Sequence, residues 1–131
     1  MKIKNLDHLV LTVASIDKTV EFYTQILGFE VITFGDNRKA LSFGNQKINL
    51  HQKGNEFEPK AEFPTCGSAD LCFIAQTDIH EVTEELRNKS ILIIEGPVAR
   101  TGALGKIMSV YFRDPDQNLI EVSNYIDVPS Q

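Results

Sequence analysis

The chain has 131 residues, of which 42% are hydrophobic and 24% charged, and its formal net charge is −5 at pH 7. This length allows one globular domain that buries roughly two-thirds of its unfolded surface. The acidic balance argues against a nucleic-acid binder, which needs a basic face. No cleavage-site pattern follows the N-terminal segment, and the longest apolar stretches, such as residues 91–94, are too short to span a bilayer. We therefore expect a cytoplasmic protein that binds neither nucleic acid nor membrane.

The first half of the sequence predicts a strand, a helix and three further strands. Residues 8–13 are aliphatic and β-branched, as in a buried strand. A helix follows, with Asp17 as its N-terminal cap and Gly28 at its C-terminal end. Glycine-containing turns then separate three predicted strands, at 29–34, 39–43 and 47–52.

The second half repeats this order of elements. Residues 70–75 predict a strand, and Asp78 followed by Glu81 is typical of a helix start. Three strands are again predicted, at 90–94, 107–112 and 118–125. The glycine-containing segment 95–106 is interpreted as a mobile loop over a pocket. The two halves are therefore two βαβββ modules.

The two modules are expected to form a single domain over residues 1–131. They span about 6–54 and 66–126, and segment 55–65, which contains Pro59 and Pro64, is the predicted linker. Each half has only about 60 residues and would be marginally stable alone. We therefore expect the two modules to share one core. The order of the predicted strands and helices indicates the α+β fold class.

Polar residues at corresponding places in the two modules predict a metal site. Superposing the first strands pairs His8 with Asp70. Counting from the aromatic residue that ends each third strand pairs His51 with Glu121. Glu121 stands between two apolar residues, where an unpaired carboxylate is costly and favours a cation. Imidazole and carboxylate ligands suit one divalent ion per site, whether Ni, Zn, Fe(II), Mn or Co. The predicted ligands are His8, His51, Glu121 and Asp70.

Two of these ligands are also the candidate catalytic residues. A general base needs a free carboxylate near the substrate, which points to Glu121 and Asp70. Whether Asp70 is the fourth ligand or the proton acceptor stays open. Arg100 and Lys106 would meet an anionic substrate from segment 95–106, and solvated loop cations are the alternative. This segment is no phosphate-binding loop, since Ile107 stands where that motif needs Ser or Thr.

The two cysteines, Cys66 and Cys72, are expected to be reduced. On one extended strand they would lie about 20 Å apart, beyond the reach of a disulfide. Two packed thiols in a reducing compartment are therefore expected. A reactive Cys66 near a loop is the alternative.

The repeat, the four polar positions and one further motif resemble the vicinal oxygen chelate superfamily. That motif is Phe112-Arg-Asp-Pro-Asp-Gln-Asn-Leu-Ile-Glu121, and the resemblance extends from Leu6 to Tyr125. The superfamily includes glyoxalase I, extradiol dioxygenases, methylmalonyl-CoA epimerase, and fosfomycin or bleomycin resistance proteins. Segments such as Arg38-Lys-Ala-Leu-Ser-Phe-Gly and Gly96-Pro-Val-Ala-Arg-Thr-Gly are similar to the glyoxalase domain-containing protein 5 group. Bacterial members of that group are often labelled virulence proteins.

The resemblance implies a cupped mixed β-sheet built from the paired modules, with a metal ion in the cup and usually a homodimer. In such families the metal binds two adjacent substrate oxygens and acts as a Lewis acid that stabilises an enediolate-type anion. The resemblance thus implies a metal-dependent, glyoxalase-I-like lyase or isomerase acting on a small oxygenated substrate. The site lies within one chain or is shared across the dimer.

The ligand order departs from the better-known members. Glyoxalase I presents His, Glu, His, Glu in chain order, whereas extradiol dioxygenases and fosfomycin transferases usually have a second His where this chain has Asp70. A ring-cleaving dioxygenase with Fe(II) is the enzymatic alternative. A protein that binds an antibiotic or metabolite without turnover is the alternative of a different class.

Overall fold

The computed structural model describes residues 1–126, and these fall into two compact units. Unit 1 ends at Ser68 and unit 2 begins at Ala69. Each unit has the order βαβββ, which confirms the α+β class and the repeated module. Unit 1 contains β1 (His8–Val13), α1 (Ile16–Gln25), β2 (Glu30–Phe34), β3 (Arg38–Phe43) and β4 (Gln46–Gln52). Unit 2 contains β5 (Asp70–Ile74), α2 (Ile79–Asn88), β6 (Glu95–Thr101), β7 (Lys106–Arg113) and β8 (Leu119–Tyr125).

Both units have the same mixed four-stranded sheet. The strand orders are β1-β4-β3-β2 and β5-β8-β7-β6, with the first strand of each unit parallel to the last and the other pairs antiparallel. Because side chains alternate along a strand, each sheet has two faces. In each unit one face carries the buried apolar side chains, such as Leu11 and Leu50 in unit 1 and Phe112 and Ile120 in unit 2. We call the opposite face, which carries His51 or Glu121, the polar face.

Both helices begin at side-chain caps, although one cap differs from its prediction. The Ser15 hydroxyl accepts a hydrogen bond from the Lys18 amide at 3.2 Å, so Ser15 and not Asp17 caps α1. Asp17 lies in the first turn, where a carboxylate interacts favourably with the helix dipole. Asp78 caps α2 as predicted. Neither helix of the described residues is long and apolar enough to cross a membrane.

The second strand of unit 2 lies later in the chain than predicted. Residues 90–94 form no strand, and β6 occupies much of the segment that was interpreted as a mobile loop. Gly96 and Pro97 suggested a loop, but β6 pairs only with β7 at the sheet edge, where an irregular register tolerates both residues. The connection that remains, residues 102–105, is a short turn.

Candidate functional site

The two histidines predicted as ligands lie on the polar face of unit 1, four register positions apart. His8 pairs with Lys47, whereas His51 pairs with Thr12. Four residues of strand cover about 13 Å, while each metal–imidazole bond is only about 2 Å long. His8 is exposed with its Nδ1 2.7 Å from Asp7 Oδ2, and His51 is buried. The structure therefore places the two histidines at separate points of the same face.

The register also corrects which residues of the two units are equivalent. Val10 pairs with Asn49, and Cys72 pairs with Glu121. The offset that superposes β1 on β5 carries Val10 onto Cys72, so the counterpart of Glu121 is Asn49. The interpretation that His51 and Glu121 are equivalent was wrong.

The error comes from the length of two connections. Residues 44–45 join β3 to β4, whereas residues 114–118 join β7 to β8. The longer connection is closed by Asp114 Oδ1, which accepts hydrogen bonds from the amides of Asp116 and Asn118. Counting from Phe43 in unit 1 and from Phe112 in unit 2 therefore pairs Glu121 with His51, two residues beyond its true counterpart, Asn49.

His51 is held as a neutral imidazole by its surroundings. Burial lowers the pKa of His51, and the positive charge of Arg38 lowers it further. Arg38 Nη2 lies 3.4 Å from His51 Nε2. Because a guanidinium only donates, Nε2 is the acceptor and the ring proton resides on Nδ1. The Phe57 ring meets the imidazole edge-on, with 5.7 Å between the ring centres.

Replacing His51 with Gln is expected to reduce the loss of stability in weak acid. The folded pKa lies below that of the unfolded chain, about 6.5, so the unfolded chain takes up the proton first as pH falls. The contribution of buried, neutral His51 to the free energy of unfolding is therefore complete above that pH and declines as the pH falls below it. Urea unfolding of EDTA-treated wild type and His51→Gln between pH 7.5 and pH 5 measures the difference. Parallel pH profiles for the two proteins would contradict a buried neutral imidazole.

Unit 2 contains an open cavity of about 450 Å³ on its polar face. Glu121 and Arg100 line it, so two of the predicted site residues do share one cavity. Lys106 does not line it and is exposed on β7. The other side chains on the wall include Cys72, Ile107, Tyr111 and Tyr125.

Glu121 is fixed by hydrogen bonds from two neighbouring strand positions. Ser109 Oγ donates to Glu121 Oε2 at 2.6 Å and lies 2.6 Å from Ser123 Oγ. Ser123 Oγ donates a second, longer hydrogen bond to the same oxygen at 3.4 Å, and Tyr111 pairs with Glu121 in the register. Burial and the Glu121 carboxylate raise the pKa of Tyr111, so its hydroxyl keeps its proton and remains a donor. The expectation that Glu121 lacks a protein partner was wrong, because it faces Ser109 and not its apolar sequence neighbours.

Arg100 is anchored at the wall of the same cavity. Its Nη2 forms an ion pair with Glu95 Oε1 at 2.9 Å, and its Nη1 donates to the Ala99 carbonyl. The guanidinium carbon lies 5.6 Å from the centre of the Tyr111 ring. Arg100 is thus a half-buried, oriented cation on a strand and not a solvated loop cation.

Asp70 and Cys72 complete the polar face beside Glu121. Asp70 is exposed at the start of β5 and points to the same face as Cys72, but it does not line the cavity. Neither Cys66 nor Cys72 forms a disulfide within the described residues, as expected. Burial raises the pKa of the Cys72 thiol, and its Sγ lies 3.4 Å from Ser123 Oγ. Cys72 therefore presents a thiol and not a thiolate.

Sequence reasoning missed Ser109, Tyr111 and Cys72 as neighbours of Glu121. The usable signal was alternation: Ile107, Ser109 and Tyr111 follow every second position of one strand. Alternation assigns these residues to one face but leaves the partner strand and its register unknown. The hydrogen bonds to Glu121 therefore became visible only with the register of β7 and β8.

The described residues include side chains of the types that bind divalent ions, but these side chains do not form a cluster. Within residues 1–126, no three His, Cys, Asp or Glu side chains form a metal-binding group. Asn49 is buried, and its Oδ1 has no hydrogen-bond partner in this part of the chain. A carbonyl oxygen left without a donor suits a cation. Imidazole nitrogens and side-chain oxygens, such as those of His8 in unit 1 and of Asp70 and Glu121 in unit 2, are donor types that divalent ions take.

The sequence matches a known family along most of its length. The family model for the Glyoxalase/Bleomycin resistance protein/Dioxygenase superfamily matches residues 5–122. The chain belongs to this superfamily. The more specific resemblance to the glyoxalase domain-containing protein 5 group stays a prediction.

Individual relatives of this superfamily member are similar over nearly the whole chain. Virulence protein STM3117 of Salmonella typhimurium is 61% identical over 126 residues, covering 96% of this chain and 88% of that protein. Its crystal structure aligns with a TM-score of 0.95 over 96% of this chain and 100% of that chain. Glyoxalase domain-containing protein RDO1 of Mycosarcoma maydis is 56% identical, covering 97% of this chain and 72% of that protein. Lactoylglutathione lyase from Agrobacterium tumefaciens has the same fold, with a TM-score of 0.73 and 20% identity over 95% of this chain and 96% of that chain.

Proposed function

We propose that the chain is a metal-dependent lyase or isomerase of the glyoxalase type that acts on a small oxygenated substrate. The observation that carries this proposal is Glu121, a carboxylate on the wall of the unit 2 cavity whose Oε2 is fixed by Ser109 at 2.6 Å. A general base must be held within reach of the proton that it removes. Membership of the superfamily supports the reaction class.

In this proposal Glu121 moves a proton between two positions of the substrate. The C–H bond beside a substrate carbonyl breaks, the proton passes to a Glu121 carboxylate oxygen, and the electron pair moves onto the substrate oxygen. Glu121 then returns the proton to the former carbonyl carbon, while the hydroxyl proton on the first carbon passes to the former carbonyl oxygen. Ser109 keeps the carboxylate oriented through its hydrogen bond, and Arg100 attracts an anionic substrate to the cavity.

The proposed cofactor is one divalent ion. Such an ion would supply Lewis-acid chemistry that makes the proton beside the substrate carbonyl easier to remove. We propose His8, Asp70 and Glu121 as its ligands, with Asp70 as the alternative proton acceptor. The sequence pattern predicts His51 as the fourth donor. Because the register places His51 four positions from His8 and Asn49 only two, Asn49 takes that place in this proposal. The homodimer implied by the resemblance is part of the same proposal.

One observation favours a second candidate, a protein that binds its ligand without turnover. Arg100, Tyr111 and Tyr125 already give the cavity a cationic and aromatic lining without any metal. Such a lining is typical of sites that bind small anionic or aromatic molecules. Tight binding that persists after EDTA treatment, with no chemical change in the ligand, would favour this candidate.

Solvent proton exchange tests the proposed activity. Metal-stripped protein reloaded with Ni, Zn, Mn or anaerobic Fe(II) is incubated in D₂O with three probes: glycolaldehyde, dihydroxyacetone and the hemithioacetal of methylglyoxal and glutathione. Proton NMR is expected to show metal-dependent loss of the C–H signal beside the carbonyl, or its conversion to product. Exchange no faster than in buffer with every metal would contradict the proposal. Oxygen consumption with catechols would instead indicate the dioxygenase alternative.

A further inference from the structure

Arg38, on β3 of unit 1, lies over two aromatic rings. Its guanidinium carbon is 5.1 Å from the centre of the Phe34 ring and 4.5 Å from that of the Phe57 ring. Such cation–π contacts hold the guanidinium in place without occupying its N–H donors. The orientation of this cation is therefore fixed while its hydrogen-bonding capacity is largely free.

The donors of Arg38 find few acceptors among residues 1–126. The side chain forms no ion pair there, and its one side-chain hydrogen bond, to His51, is long at 3.4 Å. Arg38 Nε is buried and has no partner in the same part of the chain. A buried donor without an acceptor is unfavourable, and an anion would satisfy it.

Glu56 and Glu58, whose negative charges raise the pKa of the neighbouring His51, already interact with other groups. Glu56 Oε2 accepts a hydrogen bond from the Gly54 amide at 2.9 Å, within its own turn. Glu58 forms an ion pair with Lys60. Neither one pairs with Arg38, so an anion for this guanidinium must come from outside the described residues.

We propose that Arg38 binds the carboxylate of a small organic acid. A guanidinium donates two parallel hydrogen bonds to a carboxylate, a geometry that the Nε and Nη2 edge of Arg38 provides. Phe34 gives the site an apolar wall, which suits the carbon skeleton of an organic acid better than a fully hydrated inorganic anion. The proposal rests on unit 1 alone and holds whether or not unit 2 carries the proposed activity.

The Phe57 side chain explains how a ligand reaches a buried Nε. The ring is 38% exposed and lies after β4, in a segment without regular structure. A ring in such a position moves aside at little cost compared with a side chain packed between strands. Binding therefore involves displacement of Phe57, and the Arg38 contacts change with it.

NMR of ¹⁵N-labelled protein tests the assignment through the arginine Nε–Hε signals. Benzoate and lactate are titrated beside their uncharged counterparts, benzamide and lactamide. We expect a saturable shift of the Arg38 signal with a Kd of millimolar or tighter for the acids, and at least about tenfold weaker binding of the amides. Arg38→Lys is expected to weaken binding about tenfold, and Arg38→Met to remove it. Arg87→Met, at an exposed arginine of α2, is the matched control and should bind as wild type does.

Several outcomes would overturn this inference. Equal binding of acids and amides would show that the charge is not recognised. If inorganic phosphate binds more tightly than either acid, the ligand is an inorganic anion and not an organic carboxylate. If no saturable shift is seen, or if folded Arg38→Lys binds the acids as tightly as wild type, Arg38 does not bind them. Arg38→Lys keeps the charge, so the test stands even where Arg38→Met fails to fold.

Discussion

Replacing Glu121 with Gln is expected to lower the metal-dependent exchange rate by about 10²- to 10⁴-fold. Gln has the shape of Glu and still accepts the Ser109 hydrogen bond through its amide oxygen, so the cavity wall is preserved. The neutral amide cannot accept the substrate proton at neutral pH. The amide oxygen remains a metal donor, so affinity for the ion is expected to fall far less than kcat. Exchange kinetics in D₂O at saturating metal measure the effect.

The matched control for this substitution is Glu81→Gln, at an exposed carboxylate in the first turn of α2. It removes the same charge from the chain without touching the cavity, and its exchange rate should equal that of wild type. A Glu121→Gln protein that is folded, binds metal and keeps half of the wild-type rate would remove Glu121 as the proton acceptor. Asp70→Asn would then be the next variant to measure.

Replacing Gly96 with Ala is expected to lower the free energy of unfolding by about 3 kcal/mol or more. Gly96 has φ +110°, a conformation that L side chains rarely adopt. An added Cβ would clash with the Ser109 carbonyl oxygen and lie 2.9 Å from Val110 Cα. Backbone atoms cannot rotate away, so β6 and β7 would separate. Since Ser109 also holds Glu121, the site would be disturbed with the strand.

Gly28→Ala is the matched control for the steric part of this effect. Gly28 also has a positive φ, +70°, but an added Cβ would meet nothing within 4 Å. Only backbone strain remains, which costs about 1–2 kcal/mol. Urea unfolding of both variants separates the two contributions. Equal losses of stability would show that the close approach of Gly96 to β7 is unimportant.

Most strands were predictable because alternation and β-branched residues depend on local sequence. β1 was predicted with its observed bounds, and α2 with its Asp78 cap. β6 was not predictable in this way, since Gly96 and Pro97 are typical of loops and are tolerated only because β7 supplies the pairing. The strand depends on a partner that residues 95–101 do not encode.

The candidate site was predictable in part, because charged residues that interrupt apolar segments are visible in the local sequence. Glu121 and Arg100 stand out as charged residues in otherwise apolar or glycine-containing segments, and both line the cavity. The equivalence of Asn49 and Glu121 depends on how strands pair, and loop lengths conceal it in the sequence. The same limit applies to Ser109, whose role is defined by the strand opposite it.

Isothermal titration with Ni, Zn, Mn and anaerobic Fe(II) measures whether the metal-stripped chain binds a divalent ion. We expect one ion per chain for at least one of these metals, with a Kd of micromolar or tighter. His8→Ala and Asp70→Asn should each weaken binding by at least about tenfold, a loss typical of a removed donor. His80→Ala, at an exposed histidine of α2, should bind as wild type does. If none of the four metals binds more tightly than millimolar, the chain is not the metal-dependent enzyme proposed for it.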